Sequence, residues 1–122
     1  MTKLEETRRL WLIAGYIGSL LIVALSLAPP TLRPHTAAGG QYEHLIAYAL
    51  VGAAFGMGYR AAPWRLFSGL ALTAGAAILE LLQNFIPGRS PEVIGFLASS
   101  LGAWLGLVLS TAVLVALRAV TR

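Results

Sequence analysis

Apolar positions fall into four long runs, and polar residues collect in the short gaps between them. The first run covers about Leu10–Leu27 and stops at Pro29-Pro30, because proline lacks the amide donor and clashes with the preceding turn. The second covers about Glu43–Tyr59 and is rich in small residues. The third covers about Trp64–Ile86 and stops at Pro87-Gly88, and the fourth covers about Pro91–Leu117. Each is near the ~17–25 residues that a helix needs to cross ~30 Å of hydrocarbon. The pattern predicts an all-α integral membrane bundle of four transmembrane helices, with 1–122 as a single domain. Pro29–Tyr42 reads as a loop, partly re-entrant, holding Pro34, His35, Gly39 and Gly40. The fourth helix has a start signal: Ser90 at the N-cap, Pro91 at the first helical position and Glu92 in the first turn.

Composition agrees with the pattern. Hydrophobic residues make up 57% of the 122 residues and charged ones only 11%, against about a quarter charged in soluble domains. The mean hydropathy is +0.75. Lys3, Arg8 and Arg9 precede the first run as they would in a signal peptide. The run is longer than the ~7–15 residues of a signal core and ends without a cleavage pattern, so it reads as a retained helix.

The net charge of +4 has no basic face or nucleic-acid motif behind it, so nucleic acid is not an expected partner. Topology explains it better. Four spans put Lys3, Arg8, Arg9, Arg60, Arg65, Arg118 and Arg122 on one side and only Arg33 and Arg89 on the other. By the positive-inside rule both termini are cytoplasmic, while Pro29–Tyr42 and Pro87–Ser90 face outward. The chain has no cysteine, two histidines and five acids, which excludes thiolate chemistry and leaves little for a metal site. No cofactor is expected.

The same topology gathers chemistry at one depth. Glu80 and Gln83 share a face in the last turns of the third helix, Glu80 roughly 10 Å below Pro87. His44 and Tyr48 share a face at the outer end of the second helix. Arg89 lies in the outer turn, and Ser99 about two turns into the fourth helix. An ionisable group inside hydrocarbon is costly and marks a functional site by default. The functional reading makes His44, Glu80, Gln83 and Arg89 a ligand-binding cluster, with the Arg89 guanidinium recognising an anionic head group. On that reading Arg89→Ala weakens binding far more than it perturbs folding. The structural reading makes the same groups an ion-pair network that ties helices together. Tyr42, Tyr48 and Trp104 read as packing or interface-belt residues, and Ser99 as bonding back to a carbonyl. Gly52-xxx-Gly56 and the row Ala98, Gly102, Gly106 and Ser110 mark helix contacts.

Two blocks resemble the VanZ-like family of small bacterial membrane proteins: EHLIAYALVG at 43–52 and ELLQNFIPGRSPEVIGFLASSLGAWLG at 80–106. The resemblance spans about His44 to Gly106. The second block carries most of it, through the order of Glu80, Gln83, an aromatic, the Pro-Gly-Arg turn and Gly102. Gly40 and Gln41 stand where the family often has Asp-Lys. Gly95 and Ser99 stand where it commonly has Asp and Asn. The resemblance implies a multi-pass protein of the bacterial inner membrane with an envelope-related role. The founding members are linked to glycopeptide (teicoplanin) resistance, and the resemblance implies no established reaction. A polar or lipid-linked envelope ligand is then expected at the outward cluster, with membrane lipids as partners. The alternative is a small accessory subunit of a larger membrane complex, whose glycine stripes would serve partner helices. A third reading is a membrane enzyme acting on a lipid head group, with Glu80 or His44 as general base.

Overall fold

The Thr2 hydroxyl accepts the Glu5 amide and the Glu5 carboxylate accepts the Thr2 amide, at 3.2 and 2.9 Å. This reciprocal cap starts the first helix seven residues before its apolar run does. The computed structural model describes residues 1–32, 40–89 and 92–122. Among them it has four helices: α1 (Lys3–Leu27), α2 (Gly40–Gly58), α3 (Ala62–Leu82) and α4 (Val93–Val120). Short 3-10 turns follow α1 at Pro30–Leu32 and α3 at Gln83–Phe85. The fold is all-α, as the periodicity predicts.

Three of the helices are long and apolar enough to cross a membrane: α1, α3 with its 3-10 extension, and α4. α2 is the exception, because it opens on Gly40-Gln41-Tyr42-Glu43-His44. It is instead the helix most enclosed by protein, burying Tyr48, Val51, Gly52, Ala54, Phe55, Gly56 and Gly58. A helix sheathed by its neighbours needs less lipophilic surface than one facing acyl chains. By contrast Gly15 alone is buried in α1.

α2 and α4 form the centre and run parallel. A Cβ on Gly102 would strike the Leu45 backbone, and one on Gly106 the Ala49 carbonyl. One on Gly52 would meet the Ala103 carbonyl, and one on Gly56 the Ser110 hydroxyl. The small-residue rows therefore form a seam inside this chain, where backbones approach closely. α1 packs antiparallel on α2, with Gly15 against the Phe55 ring and Gly18 against Val51. α3 packs antiparallel on α4, with Gly69 under Trp104 and the Trp104 indole donating to Thr73 Oγ1 at 3.0 Å. Chain direction alternates, so both termini lie at one end of the bundle.

Two boundary expectations need correction. α2 begins at Gly40, so Gly40, Gln41 and Tyr42 belong to the helix and not to the preceding loop. Glu92 is not in the first turn of α4: it is the N-cap residue, extended at φ −131° and ψ 140°, with no side-chain cap of its own. The cap comes from another helix. The expectations for Ser90, Pro91, Arg33, His35 and the re-entrant stretch fall on residues 33–39 and 90–91, outside the described residues.

Candidate polar site

The far end of the bundle brings together the start of α2, the end of α3, the α3–α4 turn, the start of α4 and the end of α1. α3 ends in a 3-10 turn at Gln83–Phe85, and Gly88 then takes the left-handed conformation, φ 81°, which reverses the chain. That reversal sets Arg89 beside the end of α1. Its Nε donates to the Ala28 carbonyl at 2.9 Å, and its Nη2 donates to the carbonyls of Ala28, at 2.7 Å, and Leu25. A cation at the C-terminal end of α1 satisfies carbonyls that have no partner in their own helix and opposes the negative pole of its dipole. Gln83, 5% exposed, does related work: its Nε2 donates to the Ser26 carbonyl at 3.1 Å.

Glu80 reaches across to α4. Its Oε2 accepts the Glu92 amide at 3.1 Å, which places a carboxylate at the positive pole of that helix. Its Oε1 lies 2.7 Å from where a Cβ on residue 95 would sit. Gly95 therefore makes the space through which Glu80 reaches the start of α4.

His44 faces α4 one turn lower. Its Nδ1 is 3.1 Å from Ser99 Oγ, and Ser99, 1% exposed, donates its proton to the Gly95 carbonyl at 2.8 Å. With the serine proton so committed, Nδ1 is the donor in this contact. Tyr48, also buried, lies one turn further along α2.

His44, Glu80, Gln83 and Arg89 all line one cavity of about 300 Å³, together with Gly40, Gln41, Gly88, Glu92, Ile94 and Gly95. Topology and residue spacing place the first four at this level. They do not reveal Ser99 as the group on which His44 rests. The α1 carbonyls that hold Gln83 and Arg89 are backbone groups and leave no trace in residue types.

The arrangement combines fixed donors, a carboxylate and an imidazole around a small polar void. That suits a ligand with both donor and acceptor groups. Among the described residues no three His, Cys, Asp or Glu side chains are placed to hold a metal ion. No protein-family profile, curated protein or solved structure matches this chain.

Proposed function

We propose that the chain is a VanZ-like protein of the bacterial inner membrane that spans the bilayer four times. On this reading the cavity faces outward and holds the polar head of a lipid-linked envelope ligand. The observation that carries the reading is that His44, Glu80, Gln83 and Arg89 surround a single void of about 300 Å³. Gly40, Gln41 and Gly95, three of the positions at which the chain departs from the family pattern, line the same void, and the fourth, Ser99, supports His44. Likeness and departure thus meet at one place, as expected for a family site whose ligand preference has been altered. The gathering of basic residues at the opposite end supports cytoplasmic termini.

Glu80 and His44 are the residues that test the proposal, because Arg89 is bonded to α1. Purified protein is titrated with a polyprenyl phosphate in detergent and followed by intrinsic tryptophan fluorescence. Wild type is expected to bind. Glu80→Gln and His44→Ala, still helical by circular dichroism, are expected to bind at least 10-fold more weakly. Equal binding by the folded variants would remove the cavity from the function.

The accessory-subunit reading loses one of its grounds, since the glycine seam is occupied by α2 and α4 of this same chain. The exposed length of α1 remains its best support. A stoichiometric polypeptide that survives gentle purification would favour it over the lipid-ligand reading.

A further inference from the structure

A second cavity, also of about 300 Å³, opens between α1 and α3, with α2 as its floor. It runs along α3 from Phe67 to Leu79, which at 1.5 Å per residue is about 18 Å. One leaflet of a ~30 Å hydrocarbon core is ~15 Å deep. The walls are apolar, and the two serines among them, Ser19 and Ser68, each donate to a carbonyl of their own helix at 2.8 Å. Gly75 lines the groove, and a Cβ built there meets nothing within 4 Å. The space is real, and no side chain of this protein fills it.

One end of the groove carries aromatic rings and positive charge. Tyr16, Phe55, Tyr59, Trp64 and Phe67 form a continuous series of ring contacts, with centroids 5.2–6.1 Å apart. The Tyr16 and Tyr59 hydroxyls are hydrogen-bonded at 2.6 Å. Tyrosine and tryptophan in such a series mark the depth of lipid head groups. Beside them Arg8 Nε donates to the Gly58 carbonyl at 3.3 Å and Arg65 Nε to the Tyr59 carbonyl at 2.9 Å. Each bond uses one of the five donors of its guanidinium. Arg118 is close enough to Arg65 to repel it, and Arg60 follows in the turn. Glu5 and Glu6, in the first turn of α1, are the acids at the same end.

We propose that this groove holds one acyl chain of an anionic phospholipid, with the phosphate at the basic rim formed by Arg8, Arg60, Arg65 and Arg118. Charge selects the occupant: an apolar slot that ends in a cluster of guanidiniums complements an amphiphile with a negative head. Closure at one end argues against a transmembrane helix as occupant. α1 and α3 are bridged by the Gln83–Ser26 bond at the groove's far end, and a helix is ~10–12 Å across. The inference is independent of the ligand at the polar site, which lies at the opposite end of the bundle.

The test uses the full chain in detergent with equimolar dioleoylphosphatidylglycerol and dioleoylphosphatidylcholine, read by native mass spectrometry. Wild type is expected to retain the anionic lipid at least about 10-fold over the zwitterionic one. Each basic residue near an anionic surface contributes roughly a fivefold preference, so Arg60→Gln combined with Arg118→Gln is expected to lower the wild-type ratio by roughly 5- to 25-fold. Gly75→Leu sets its Cβ in open space and its branched end in the groove, and is expected to abolish retention of both lipids while helicity is kept. Ala71→Leu, on the same wall, serves if Gly75→Leu does not fold. Equal retention of the two lipids by wild type overturns the proposal. So does undiminished retention in a folded groove-filled variant, or a dimer that the groove-filling substitution dissociates.

Discussion

Replacing Gly102 and Gly75 by alanine, one at a time, tests whether the α2–α4 seam holds the fold. Both glycines are inside long helices, so the intrinsic preference for alanine, about 1 kcal/mol, favours each substitution alike and cancels between them. What remains is contact. At Gly75 the new methyl enters open space. At Gly102 it would overlap the carbonyl oxygen, carbonyl carbon and Cα of Leu45. These are backbone atoms of a helix and cannot rotate aside, so α2 and α4 must separate. Overpacking costs about 1–3 kcal/mol, and a backbone obstacle puts this site near the upper end. Gly75→Ala is therefore expected to be stabilising by up to about 1 kcal/mol, and Gly102→Ala to be about 3 kcal/mol less stable than Gly75→Ala. Reversible unfolding in mixed micelles, followed by far-ultraviolet circular dichroism, measures the difference. Two variants within about 0.5 kcal/mol of each other would show that the backbones are not in contact and that the central pair is wrongly placed.

Arg89→Ala is expected to destabilise the protein by about 2 kcal/mol, since it removes charge-assisted hydrogen bonds to Leu25 and Ala28. Hydrogen–deuterium exchange should show lost protection at the end of α1 before any effect elsewhere, and unchanged exchange there would refute the clamp. The Tyr59 phenol, in the turn between α2 and α3, is pushed up to about 12 by its hydrogen bond with Tyr16, with burial and the Tyr16 charge adding to it. Folding thus favours the protonated phenol. This contribution is complete below the ordinary tyrosine value of about 10 and is lost as pH rises through about 12. Spectrophotometric titration should show one late-ionising tyrosine whose midpoint falls in Tyr16→Phe, and no change on that substitution would refute the pairing.

The sequence determined the helical class, the turn chemistry at Gly88 and the level at which His44, Glu80, Gln83 and Arg89 meet. Apolar run length and proline stops are local properties, and residues at the ends of alternating helices come to similar depths whatever the packing. It also marked the glycine rows as contacts, but a row of small residues does not say which helix it receives. Tertiary structure decided that α2 and α4 receive each other, which makes the one helix that does not qualify as a span by length and apolarity a central one. It likewise decided what the polar groups touch. The cap of α4 comes from Glu80, twelve residues before Glu92, and Arg89 is bonded to carbonyls more than sixty residues earlier. Backbone carbonyls and amides are the same at every position, so a side chain's choice among them appears only once the chain has folded.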